Sequence, residues 1–436
     1  MAPTPALIMA GLLLAMLAAE AAAEEGEAGT TTGTSVIEAD GDGAMHINSS
    51  DPLTQPVFFN GVNVLGVIEQ QRSTLEQQRA AMAQFNQTLR EQRSLTSQQR
   101  AKISTLQERM CGLGQPLGLS KIPGLSSNRD KWAGGVLAPN GLIYGVPRSA
   151  TSVLIINPTT NTLDNTTISG LPAASRKWGG GVLAPNNNII YCFPFNADSV
   201  LKIDPSTNTA DWTTINGLES GAYKFRGGVL GENGLIYGIP FAASFVLIIN
   251  PVTDTIDTTT LSGLSSGTWK WWGGVVAPDG RIFCTPRSAH NVLIINPDTN
   301  VLDTTSIASL GLAQDKWLGG ALAGNGLIYS VPLNSESVLI IDPVAMTADT
   351  TTISGLVGQY KWVGAVLAPN GKIVGIPYSS ETVLLVDPQT NTVDTTTLPY
   401  AGEQNYKYRG GVLAPNGVVY AVPDSADNVL VIEPGC

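Results

Sequence analysis

Residues 131–164 read KWAGGVLAPNGLIYGVPRSATSVLIINPTTNTLD, and the same line returns again and again up to the C-terminal end of the chain. Its opening, Lys-aromatic-x-Gly-Gly/Ala, falls at Lys131, Lys177, Lys224, Lys270, Lys316, Lys361 and Lys407. That makes seven copies, at spacings of 46, 47, 46, 46, 45 and 46 residues. A fixed period of this length marks a solenoid, a propeller or an array. The first copy holds four short apolar or β-branched runs, 135–138, 142–146, 152–156 and 162–168. Val, Ile, Thr and Tyr suit a pleated, half-buried surface. Pro139-Asn140-Gly141 parts the first two runs, and Asn-Gly between apolar runs is a strong hairpin signal. Pro147 to Ala150, then Asn157-Pro158 and Asn161, break the remaining runs. Four antiparallel strands in one repeat are a propeller blade, so residues 111–436 predict an all-β, seven-bladed β-propeller.

The ends of the chain predict how such a ring closes. After Lys407 only three strand-like runs remain, the last at 429–432, whereas residues 117–122 upstream mimic the end of a repeat. Pairing that segment with the last blade removes two open sheet edges. Cys111 lies just before it and Cys436 just after the last strand, so a Cys111–Cys436 disulfide would lock the ring. Closing so long a loop contributes on the order of 4–5 kcal/mol in the chain-entropy account.

Upstream of the repeats the composition changes several times. Residues 1–23 carry an apolar run ending in Ala21-Ala22-Ala23 and read as a cleaved signal peptide. Residues 24–35 are rich in Glu, Gly and Thr and read as disordered. Residues 36–62 alternate apolar pieces with turns and predict a small β neck. Residues 63–110 predict the only helix. Ile68, Leu75, Met82, Leu89, Thr96, Ile103 and Met110 recur every seven positions, and Gln71, Gln78, Phe85, Gln92, Gln99 and Leu106 follow three further on. Such a seam is too narrow for a globular core face and asks for partner helices, so it predicts a coiled-coil stalk of two or three chains, roughly 70 Å long at 1.5 Å per residue. Secretion makes a disulfide admissible and the sequons at Asn48, Asn86 and Asn165 usable for glycosylation.

Charge narrows the partners. With 24 basic against 35 acidic side chains the net charge is −11, which argues against nucleic acid, and the mature chain predicts no membrane span. Two loops per blade open on one face of a propeller. One holds the seven lysines, each followed by Trp132, Trp178, Phe225, Trp271, Trp317, Trp362 or Tyr408. A ring of cations beside aromatics could bind anions or acidic glycans, or the aromatics could simply wedge the blades apart under the lysine stems. The other loop varies: after its proline come Arg148, Phe195, Phe241, Arg287, Leu333, Tyr378 and Asp424. Diversity on a rigid scaffold points to recognition, so Arg148, Phe195, Phe241, Arg287 and Tyr378, with the lysines, form the candidate partner or glycan face.

Catalysis has little to stand on. The two histidines, His46 and His290, are far apart in the chain, which leaves no metal cluster, and no cofactor is expected. Glu336, Glu381 and Asp427 on adjacent blades are the one arrangement suited to a carbohydrate-active enzyme.

The repeat Pro-Asn-Gly-x-Ile-Tyr-Gly-x-Pro, followed by Val-Leu-Ile-Ile-Asn/Asp-Pro, resembles the propeller repeats of secreted algal and protist proteins. The upstream Asp-Gly-Asp-Gly and Phe-Asn-Gly-Val-Asn-Val-Leu, leading into a Gln-rich helix, resemble the stalks of surface proteins from the same kinds of organism. The resemblance implies a secreted, non-enzymatic structural subunit of an extracellular appendage or coat, such as a flagellar hair or cell-surface layer. Its partners would be copies of itself and other extracellular proteins or glycans; the alternatives are a glycan-binding adhesin and a carbohydrate-active enzyme.

Overall fold

The structure, a computed structural model, describes residues 35–39, 45–49, 58–59, 62–63, 66–85, 87–88, 117–267, 269–400 and 405–435. The chain separates into two units, residues 1–96 and 97–436. The first contains two antiparallel hairpins, Ser35–Ala39 with Met45–Ser49 and Phe58–Phe59 with Val62–Asn63. It also contains a helix at 66–85, followed by helical residues 87–88. The remainder of the stalk expected at 63–110 lies outside the described residues. Among the described residues the helix at 66–85 is the single one. Its heptad residues Ile68, Leu75 and Met82 are 54%, 52% and 61% exposed, so the seam is open among the described residues.

The second unit is a ring of seven four-stranded antiparallel sheets. In the first blade the strands are Trp132–Leu137, Ile143–Pro147, Leu154–Asn157 and Thr162–Asp164, inner to outer. The last blade comprises Tyr408–Leu413, Val419–Pro423 and Asn428–Pro434, and its outer strand is Leu117–Pro123 from the front of the unit. That strand pairs residue for residue from Pro123 opposite Asn428 to Leu117 opposite Pro434. Closure by an upstream strand is thus as expected, one residue longer than the sequence indicated. Cys111 and Cys436 both lie outside the described residues.

Seven apolar cores sit between neighbouring blades rather than within them. The core between the first two, for instance, joins Tyr144, Val146 and Ile155 to Trp178, Ile190 and Leu201. The aromatic after each lysine belongs to these cores. Trp178 is 1% exposed, and its indole N–H donates to Ser199 O at 2.9 Å, satisfying the one polar group such a wedge buries.

The Gly-Gly pair has a geometric cause. Each inner strand is bulged between the aromatic and the residue three further on, as between Trp132 and Gly135 or between Trp362 and Ala365. At the bulge Gly319 has φ of +82°, and a Cβ there would stand 2.9 Å from the Cα of Gly364 in the next blade. Only glycine allows that approach. The bulge also turns the residue between the aromatic and the glycines toward the channel.

The lysines are interior. All seven are at most 7% exposed, and the ammonium groups of Lys177, Lys270, Lys316 and Lys361 donate to backbone carbonyls of the preceding blade's loop and of their own, whereas Lys224 pairs with Asp198 and donates to Gly221 O. Lys270 Nζ reaches Ala242 O, Ala243 O and Gly267 O at 3.2, 2.8 and 3.1 Å. Lys361 Nζ reaches Leu333 O, Ser335 O and Gly358 O at 3.1, 2.9 and 2.8 Å. Burial pulls Lys177, Lys270, Lys316 and Lys361 down to about 8, so they stay charged at neutral pH. The ring of charge that the sequence places at the channel mouth is consumed inside the scaffold.

Two predictions follow from this architecture. Ile122→Ala, which truncates a buried residue of the closing strand, should lower unfolding free energy by about 2–5 kcal/mol. An unshifted denaturation midpoint would mean that residues 117–123 do not close the ring. Lys361→Met strips the donor from three buried carbonyls and should cost about 1–3 kcal/mol, read by calorimetry; a melting temperature at or above that of the unsubstituted chain would refute a structural ammonium.

Candidate functional site

Residues from three positions of the repeat gather at one end of the central channel. The first set follows the loop proline: Arg148, Phe195, Phe241, Arg287, Leu333, Tyr378 and Asp424 all line one cavity of about 340 Å³. All five expected contact residues outside the lysine ring, Arg148, Phe195, Phe241, Arg287 and Tyr378, are therefore brought together. They are not the exposed anchors expected of an assembly face. Phe195 and Phe241 are 3% and 1% exposed and pave the wall of a funnel.

The second set precedes each lysine, and six of its members, Asp130, Arg176, Tyr223, Trp269, Tyr360 and Tyr406, line the same funnel. These residues and Asp315 have φ between +52° and +66°, an unfavourable region for non-glycine residues. In several blades a side chain from the preceding loop holds the turn: Ser149 Oγ accepts from Arg176 N at 3.0 Å, and Asn196 Oδ1 from Tyr223 N at 3.0 Å. The third set is the bulge residue itself. Arg226, Trp272 and Arg409 line both the funnel and a deeper, glycine-walled cavity of about 210 Å³. They form the constriction between the two.

Charge in the funnel is strongly biased. Asp130 accepts from Arg148 Nε at 2.7 Å and from Arg176 Nε at 3.1 Å, with Arg409 Nη2 at 3.6 Å. Burial alone would raise its pKa, but these guanidinium groups more than offset that and hold the carboxyl below its usual range. Arg409 Nη2 pairs with Asp424 Oδ2 at 2.6 Å, and Arg287 Nη2 with Asp315 Oδ1 at 2.6 Å. Arg226 has no such carboxylate. Its guanidinium lies 4.0 Å from the centroid of Trp272 and 4.6 Å from that of Phe195, and its Nε and Nη1 have no hydrogen-bond acceptor. Aromatic rings continue round the wall, with Phe195 5.1 Å from Tyr223 and 5.6 Å from Phe241, and Tyr406 5.0 Å from Tyr378.

Other candidates are scattered. Glu336, Glu381 and Asp427 do not line the funnel, so the carboxylates suited to glycoside chemistry are not gathered there. Among the described residues no group of His, Cys, Asp and Glu could hold a metal. A Gly-x-Ser-x-Gly string at 263–267 lies in an irregular loop, without the strand-to-helix turn of a nucleophile elbow. Cys192 and Cys284 are buried free thiols, held protonated by burial. Asn165 is exposed on a turn; the side chains of Asn48 and Asn86 lie outside the described residues. No helix among the described residues is long and apolar enough to cross a membrane.

The second and third sets escaped sequence reading. Their signal was there: within the constant Lys-aromatic-x-Gly frame the flanking residue and the x vary as freely as the loop.

No protein-family model and no curated sequence matches the chain. Solved structures share its fold. Catalytically inactive virginiamycin B lyase from Staphylococcus aureus, crystallised with quinupristin, is similar with a TM-score of 0.59 at 11% identity, over 73% of this chain and 99% of that one. The extracellular domain of a putative one-component system from Bacteroides thetaiotaomicron gives 0.53 at 11%, over 73% of this chain and 42% of that one. Kuenenia stuttgartiensis hydrazine synthase gives 0.51 at 14%, over 71% and 97%. At such identities the likeness is one of fold, spanning enzymes and a sensor domain alike, and the chain stands as a seven-bladed β-propeller.

Proposed function

We propose that this is a secreted recognition protein whose propeller is a glycan-binding head and whose funnel is the binding site. One observation carries the reading: the residues that vary between otherwise uniform blades converge on a single concave, aromatic-walled cavity. Variation spread over a flat face would suit assembly, whereas convergence in a funnel of about 340 Å³ suits the end of a small ligand or chain. Aromatic faces stack on sugar rings, and the flanking guanidinium and carboxylate groups supply directional hydrogen bonds. The propeller folds shared with a lyase and a sensor's extracellular domain are compatible with ligand capture.

The test is a glycan array probed with the full chain, repeated with Trp269→Ala. Trp269 is 37% exposed at the rim, so its truncation spares the core. Expected is binding to a defined set of glycans, weakened by about 1–2 kcal/mol in the variant at unchanged melting temperature. A blank array, or binding indifferent to Trp269, would refute the site.

An extracellular coat or filament subunit is the second reading, favoured by the open seam of Ile68, Leu75 and Met82. Self-association through that seam would present two or three heads together, raising avidity for surface glycans as well as serving assembly. Sedimentation of the full chain should give a dimer or trimer, and replacing the three seam residues by Gln should give a monomer with an intact head. A monomeric parent chain at micromolar concentration would remove the stalk from the proposal.

A further inference from the structure

Several buried polar atoms of the funnel lack a hydrogen-bond partner, but among its buried arginines Arg226 is the one with no carboxylate at salt-bridge distance. Its side chain is 2% exposed, and its guanidinium lies over the rings of both Trp272 and Phe195. The donors of a guanidinium lie in its plane, so stacking leaves them available at the edge. Nε and Nη1 meet no acceptor there. Burial first, and then the neighbouring cations Arg148, Arg409 and Arg287, disfavour its charge, with Tyr378 acting the other way. The acids nearby are already engaged: Asp130 by Arg148 and Arg176, Asp424 by Arg409, and Asp315 by Arg287. A buried charge without a counter-ion is a costly arrangement to keep in an interior. In a chain of net charge −11, this funnel holds more arginine than carboxylate.

We infer that the edge of Arg226, at the floor of the funnel, is an oxyanion site that takes the carboxylate or sulfate of an acidic sugar whose ring stacks on the aromatic wall. The inference rests on the glycan reading for the sugar, though not for the anion. A carboxylate or sulfate offers coplanar or near-coplanar oxygens that match an N–H fork bidentately. The ring carrying it would then lie against Phe241, Trp269 and Trp272, all within the same cavity. A neutral sugar supplies nothing to offset the cluster of guanidinium groups, so the site discriminates by charge.

The experiment is calorimetric titration and thermal shift of the full chain with glucuronate, galactose 6-sulfate, galactose and inorganic sulfate. Repeats use Arg226→Met and Arg226→Lys. Expected for the parent chain is binding of both acidic sugars at least tenfold tighter than galactose, with weak protection by sulfate alone. Arg226→Met should abolish that preference and, with the unpaired charge gone, should melt no lower than the parent chain when ligand-free. Arg226→Lys should keep part of the preference. Sulfate binding lost in Arg226→Met, with no sugar binding anywhere, would uphold the oxyanion site and sink the glycan reading. Galactose bound as tightly as glucuronate, or sulfate and acidic sugars unaffected by Arg226→Met, would overturn the inference. Should Arg226→Met fail to fold, the comparison of charged with neutral sugars in the parent chain decides it alone.

Discussion

A belt of backbone hydrogen bonds around the channel mouth holds everything else in place. Each ring lysine donates its N–H to the carbonyl of the residue after the preceding blade's loop proline, as Lys177 does to Arg148 O at 2.6 Å and Lys407 to Tyr378 O at 2.8 Å. Its own carbonyl accepts from the corresponding residue of its blade, as Lys177 O does from Phe195 N at 2.8 Å. The chain of bonds passes through all seven blades and closes where Lys131 N meets Asp424 O at 3.0 Å. Because the belt uses only main-chain groups, it places no demand on the side chain after the proline. That is why one of two neighbouring positions is invariant and the other is free, and why the free one always lands in the funnel.

The opposite end of the ring has its own fastening, and its exceptions are instructive. Tyr144 donates its hydroxyl to Asn208 Oδ1 of the next blade at 3.0 Å, and Tyr420 does the same to Asn161 at 2.9 Å, across the closure. In the fourth blade the tyrosine is Phe283 and its partner position is Met346, so neither half of the bond exists. There Arg281 covers the Phe283 ring at 5.3 Å and reaches Pro343 O at 2.6 Å. A different side chain spans the same gap, because a buried blade junction must satisfy its polar groups one way or another.

The fold was legible because a repeat multiplies weak signals. One Asn-Gly turn is a hint, whereas the same turn chemistry in successive blades leaves a propeller as the economical solution, and counting strands after Lys407 exposed the missing partner. The site was half legible. Variation after the loop proline marked one ring of the funnel, and constancy of the lysines was open to two readings, charge on offer or stems covering an aromatic wedge between blades. What the structure adds is that in four blades the ammonium satisfies loop carbonyls two or three at a time, a role visible only once Ala243, Gly267 and their equivalents are seen beside it. The bulge could not be read either: nothing in Lys-aromatic-x-Gly-Gly says that the strand bends there and swings Arg226 and Arg409 into the channel. For residues 63–110 the sequence supplied a periodicity with no partner in the same chain, so only the open seam on 66–85 can be compared with it.

The closing strand is also the element through which the propeller is tethered to everything before it in the chain. In ordinary blades the outer strand holds on by three paired residues, as Thr162–Asp164 does against Leu154–Asn157. Leu117–Pro123 holds on by seven pairs. Tension carried along the chain from the N-terminal side arrives at this strand first. It meets a ladder more than twice as long as those around it, so the seam that makes the ring is also its anchor against being pulled open.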